Sequence, residues 1–113
     1  MDPTADIKVL RNKAADISAI LRLLANEKRL LVLHHLALSG EMSVTALGFA
    51  VGLRQPAISQ HLARLRAGGV VKARREAQIL HYRIADPRVG RLLAILREIQ
   101  REGSRSERSS DAG

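Results

Sequence analysis

The chain has 113 residues, 46% of them apolar and 2% aromatic, no cysteine, and a formal charge of +8 from 19 Lys and Arg against 11 Asp and Glu. That length gives one domain whose core buries a limited share of its surface, and the missing cysteine excludes disulfides, thiolate catalysis and thiol redox sensing. The cation excess favours a polyanionic partner over the plain alternative of arginine-biased coding, and with neither an apolar run of about 20 residues nor an apolar signal core a cytoplasmic chain without membrane contact is expected.

Met1 to Asp6 is polar and is expected to fray. From Ile7 to Leu24 the residues Leu10, Ala14, Ile17, Leu21 and Leu24 recur at alternating four and three, with Ile20 and Leu23 widening the stripe, so this is a long amphipathic helix. Asn26 can cap a second helix that carries Leu30, Leu31, Leu33, Leu36 and Ala37 and ends near Ser39-Gly40, with Glu41-Met42 as a link.

The organising stretch is Ser43 to Val71, SVTALGFAVGLRQPAISQHLARLRAGGVV. Its first helix is capped by Ser43 and stopped by Gly52, which tolerates the positive φ of a sharp turn. Leu53 anchors the turn and a second helix opens at Pro56, whose missing N–H costs nothing there and which biases Gln55 out of the α region. Ile58, Leu62 and Leu65 then form one apolar stripe, while Ser59, Gln60, Arg64 and the small Ala57, Ala63 and Ala67 point largely the other way. A helix that enters a DNA major groove needs that slim, polar face. Gly68-Gly69 ends it. In VVKARREAQILHYRIADP, β-prone residues flank a polar tip at Glu76 to Gln78, which predicts a hairpin wing with Arg74 and Arg75 on its first strand and Lys72 and Arg83 nearby. Asp86-Pro87 starts a last helix with Val89, Leu92, Leu93, Leu96 and Ile99 in a second seam, before GSRSERSSDAG, a tail expected to be disordered. Residues 7–102 are thus the domain, between a frayed 1–6 and a tail at 103–113.

The first and last helices carry apolar faces outside the reading head. Two such faces on so small a domain predict a homodimer seam of Leu10, Ile17, Leu21, Leu24, Val89, Leu92, Leu96 and Ile99; packing of both stripes within one chain is the other reading. Two-fold pairing also presents two reading helices to successive major grooves, about 34 Å apart. Gln55, Ser59, Gln60 and Arg64 are the base-edge candidates, because Gln bonds adenine and Arg grips guanine bidentately. Arg54, His61, Arg74, Arg75 and Gln78 are candidates for the phosphate backbone, with a packed or helix-bracing role also open to His61.

From Leu24 to Ile84 the run LANEKRLLVLHHLALSGEMSVTALGFAVGLRQPAISQHLARLRAGGVVKARREAQILHYRI resembles the ArsR/SmtB family of winged-helix repressors, in its SVTAL helix, its SQHLARLRAGGVV recognition helix and its HYRI wing strand. The resemblance covers roughly residues 20 to 96, and RQPAISQHLARLR is most similar to the cysteine-free, nodulation-repressor-like branch. It implies a mainly α fold with a small β-hairpin, in the order α-α-α-α-β-β-α, dimeric and bound to double-stranded DNA. The chain departs from the family at Ala25-Asn26-Glu27, where many relatives carry Asp-Pro, and in a wing tip without glycine. It also lacks the sensing residues of the metal branch: Asp86 is followed by Arg88 in the first histidine position, and Val44, Thr45 and Ala46 stand where that branch has its cysteine pair.

His34 and His35 are helix neighbours that point about 100° apart and cannot chelate one ion unaided. No metal or cofactor is therefore expected, through these two or through His81. Nor does the sequence show a nucleophile with base and orienter or a glycine-rich phosphate loop, so it does not read as an enzyme. A sequence-specific repressor on an inverted repeat is the leading reading. A winged-helix protein-interaction module and a nonspecific nucleic-acid binder are the alternatives. Whether an organic small molecule between subunits releases the DNA stays open.

Overall fold

The computed structural model describes the backbone of residues 3–112 and the side chains of residues 3–104. The elements run α1 (Pro3–Leu24), α2 (Glu27–Ser39), β1 (Met42–Ser43), α3 (Val44–Val51), α4 (Gln55–Ala67), β2 (Val71–Glu76), β3 (Ile79–Ile84) and α5 (Pro87–Ala112). This is the expected mainly helical order with a hairpin, plus one short strand.

Local chemistry sets most of the boundaries. Asn26 is extended and its side chain accepts the N–H of Arg29 at 3.1 Å, which starts α2. Ser43 does the same for α3, with Oγ accepting the N–H of Ala46 at 3.1 Å. Gly52 ends α3 at φ 72, a left-handed conformation in which a Cβ would be strained, and Lys28 Nζ donates to the Val51 carbonyl at 3.1 Å. The extended residue ahead of α4 is Arg54, not Gln55, so α4 begins one residue before Pro56, whose missing N–H is still one of the first-turn orphans.

The expected link at Met42 is a strand. Met42 pairs with Tyr82 and Ser43 with His81, so β1 adds an edge to the hairpin and the antiparallel sheet runs β1-β3-β2. Two residues are too short to show an alternating pattern; only β3 alongside makes them a strand. In the hairpin, Glu76 opposite Ile79 leaves Ala77 and Gln78 as the tip.

The core joins α2 (Val32, Leu33, Leu36), α3 (Leu47, Val51), α4 (Ile58, Leu62, Leu65), Val70 just ahead of the sheet, the sheet (Val71, Tyr82) and the start of α5 (Val89, Leu93). From α1 only Leu24 is buried among the described side chains. α1 and the far part of α5 therefore project as arms. The radius of gyration, 17.1 Å, exceeds the roughly 13 Å of a compact chain this long.

Both ends are more helical than expected. α1 takes in 3–6 of the stretch expected to fray, since Pro3 presets φ and Asp6 complements the helix dipole. The backbone of α5 continues through 103–112, the stretch expected to be disordered, where no proline interrupts the hydrogen-bond ladder. Met1, Asp2 and Gly113, which complete those two expectations, lie outside the described residues.

Ala77 is the one non-glycine residue with positive φ (56°) among those described. A left-handed alanine costs about 1–2 kcal/mol, of which glycine returns about 0.4–1 through a more flexible unfolded chain. Ala77→Gly is therefore expected to raise stability by about 0.5 kcal/mol. A urea midpoint lower than that of the native chain would refute the strain.

Candidate nucleic-acid interface

On α4 the inward stripe is fully engaged: Ile58, Leu62 and Leu65 are 1%, 0% and 0% exposed. At 3.6 residues per turn, Gln60 then sits almost opposite the stripe, with Ser59 and Arg64 on either side of it. All three are exposed, as are the small Ala63 and Ala67 between them. Gln55 is exposed at the first turn, where Arg54 supplies no side-chain cap and the leading N–H groups stay open. The structure thus brings Gln55, Ser59, Gln60 and Arg64 onto one continuous face, which Arg66, exposed in the last turn and not singled out by the sequence, extends.

Sequence reasoning also gave no role to Phe49. It is 85% exposed and borders a groove of about 410 Å³ between α3 and the start of α4, with Thr45, Leu53, Arg54 and Gln55 on its walls. Its only sequence signal was being the sole phenylalanine in a chain nearly free of aromatics.

In the wing, alternation puts Lys72, Arg74 and Glu76 on one face and Val71, Ala73 and Arg75 on the other. Arg74, expected to clamp phosphate, is already occupied. Its Nε donates to both oxygens of Glu41 at 2.9 and 3.0 Å, its Nη2 lies 2.6 Å from Glu41, and its Nη1 donates to Glu76 at 2.9 Å. The Arg74 hydrogen bond holds the Glu41 carboxyl below the usual carboxylate range, and the two acids raise the pKa of Arg74 further. Glu41 is 33 residues away in sequence, and β1 alone carries it to the wing. Arg75 and Gln78 are exposed, and among the described residues neither has an ion pair or side-chain hydrogen bond.

His61 is half-buried on the flank of α4, with Nδ1 3.5 Å from Nη1 of Arg29. Burial first, then the Arg29 and Arg64 charges, hold its imidazole below the ordinary range. The ring is thus braced against α2, the packed alternative, and only its other nitrogen is left for a phosphate.

Of the expected seam, Leu10, Ile17, Leu21 and Ile99 are exposed, and Leu92 and Leu96 are partly covered. Leu24 and Val89, 6% and 1% exposed, are corrected to the chain's own core: they lie where α1 and α5 join the body, so the inward face takes them. Ile7 on α1 and Ile95 on α5, absent from the expected set, are exposed on the same stripes. At the root of the arms Arg88 binds Asp86 at 2.8 Å and Asp16 of α1 at 3.2 Å.

His34 points at Arg97, with Nδ1 3.4 Å from Nη1, and not at a second ligand. Among the described residues no three of His, Asp and Glu gather as a metal site, and no helix is long and apolar enough to cross a membrane.

Against known proteins, the model of the bacterial regulatory protein arsR family matches residues 26–73. The nodulation protein NolR of Rhizobium meliloti is 43% identical over 90 residues, 79% of this chain and 73% of that protein. The crystal structure of NolR from Sinorhizobium fredii superposes with a TM-score of 0.71 at 39% identity, over 88% of this chain and 93% of that one. A homodimeric winged helix-turn-helix DNA-binding domain from Mycobacterium bovis gives 0.71 at 34% identity, over 91% and 89%. The chain therefore belongs to the arsR family of bacterial regulatory proteins.

Proposed function

We propose that the chain is a homodimeric, sequence-specific DNA-binding repressor that recognises an inverted repeat. The observation that carries this reading is the division of α4. Its apolar stripe is consumed by the core, which leaves Gln55, Ser59, Gln60 and Arg64 on a ridge slim enough for a major groove. In this reading the exposed Arg75, Gln78 and Arg54 hold phosphates, and the exposed Phe49 makes an apolar contact to a sugar or a thymine methyl. The formal charge of +8 adds long-range attraction and a steep salt dependence, because each neutralised phosphate releases counterion. The Mycobacterium bovis relative is homodimeric. The same assembly here is supported by two exposed stripes, Ile7, Leu10, Ile17 and Leu21 on α1 and Ile95 and Ile99 on α5, the latter continued by the partly covered Leu92. Release of the DNA requires no metal or thiol in this reading; the sequence has no cysteine.

Selection of bound duplexes from a random pool tests the proposal directly. Enrichment of an inverted repeat, the same with zinc and with chelator, is the expected result. Salt-sensitive retention without enrichment would instead make the chain a nonspecific binder, and no retention would favour a protein-interaction module.

On the enriched site, Gln60→Ala and Arg64→Ala should each lose about 1–3 kcal/mol of discrimination at one base pair. Arg75→Ala should weaken all sequences alike and lower the salt slope by about 1. Arg74→Ala should change the salt slope little, because Glu41 and Glu76 already neutralise its cation. Equal flattening by all four substitutions would refute this division between readers and clamps. For the seam, Leu21→Asp combined with Ile95→Asp is expected to give a monomer by sedimentation equilibrium, and a dimer of native strength would place the interface elsewhere.

A further inference from the structure

Arg29 is the one charged side chain among those described that is buried, at 8% exposure. A buried cation normally needs a carboxylate. Among the described residues Arg29 has none. Instead its Nε donates to the Leu23 carbonyl at 2.7 Å, its Nη2 to the Arg22 carbonyl at 3.4 Å, and its Nη1 faces Nδ1 of His61 on α4 at 3.5 Å.

Those carbonyls complete the end of α1. The last four C=O groups of a helix have no partner within it. Here Leu21 is taken by the Ala25 N–H at 2.9 Å and Leu24 by the Asn26 N–H at 2.8 Å, which leaves Arg22 and Leu23 to Arg29. The negative end of the α1 dipole, about half an elementary charge, serves as the counter-charge. Swinging α1 away would strand the guanidinium without compensation. A second contact fixes the same corner, since the Leu23 side chain lies across Gly68 just beyond α4 and a Cβ at Gly68 would run into it.

We propose that Arg29 is a positioning residue that locks the angle between the arm α1 and the reading helix α4, and through it the spacing of half-sites that the dimer accepts. The second part rests on the DNA-binding dimer proposed above. Leverage makes the angle matter. α1 has 22 residues, so it is about 33 Å long, and a rotation of roughly 10° at its root moves the far end by about 6 Å. That exceeds the rise of one base pair, about 3.4 Å. His61 can close the bracket only when neutral, because arginine never accepts a hydrogen bond. Its ring is neutral at pH 8. As the pH falls below the ordinary imidazole range and through the lowered value in the fold, the ring gains a proton. It then opposes Arg29 from α2 and Arg64 from its own helix, while α1 presents only carbonyls at this corner.

The absence of native cysteine allows a direct test. Spin labels at Ala15→Cys on α1 and Ala63→Cys on α4, both exposed, report the distance within one chain when it is diluted with unlabelled protein. A narrow distribution is expected at pH 8. Arg29→Met should widen it, and Arg29→Lys, which keeps the charge at the helix end but not the fork, should widen it less. Stepping the pH down from 8 should widen the native distribution once the pH has passed below the ordinary imidazole range, but not that of His61→Asn, whose amide oxygen sits where Nδ1 does and can still accept from Arg29. Distributions of native width in both Arg29 variants would overturn the proposal. On DNA from the random-pool selection, inserting or deleting one base pair between half-sites should be penalised by the native chain, and the penalty should fall roughly tenfold in Arg29→Met. If the native chain selects no sequence at all, the DNA-binding reading fails while the label distances still decide the role of Arg29.

Discussion

The fold and the site depend on one constraint: Ile58, Leu62 and Leu65 must leave water together. Each is worth about 1.5–3 kcal/mol when fully buried, and α2, α3 and β2 supply the surfaces that receive them. Once that stripe is fixed inward, the rotation of α4 about its own axis has no freedom left. The polar residues of the same helix are then presented by exclusion. Apolar burial, which carries no information about a partner, decides which side chains of α4 stay exposed.

A second layer of control comes from charge. α2 terminates two neighbours with its own cations, Arg29 at the end of α1 and Lys28 at the end of α3. At the wing the opposite is done, since Glu41 and Glu76 neutralise Arg74 so that the strand's exposed charge rests on Arg75 and Lys72. The chain is strongly basic, yet its cations are unequal: some are used up inside the protein, and net charge alone cannot tell which.

What could be read ahead of the structure follows from the range of the interactions. Asn26, Ser43 and Gly52 act on backbone within a few residues, so their roles as caps and stop were visible from spacing, as were the stripe on α4 and the hairpin. The strand at Met42-Ser43 was not, because its hydrogen bonds go to Tyr82 and His81. The pairing of Arg74 with Glu41 is not legible in the sequence either, because Glu41 reaches the wing only through that strand. Leu24 and Val89 fit the arm stripes in heptad spacing, but periodicity does not show where along a helix the core ends and the arm begins. Ile7 and Ile95 were passed over for the same reason.

The sequence by itself determined the fold class, the order of helices and hairpin, and the face of α4 left for a ligand, because helix period, caps and turn residues are local and additive along the chain. Tertiary structure alone decided which cations are paired, where along α1 and α5 the core ends, and that the carbonyls at the end of α1 are met by Arg29. Those outcomes depend on pairs far apart in sequence, and solvent exclusion and Coulomb attraction act on distance in space, which no pattern along the chain encodes.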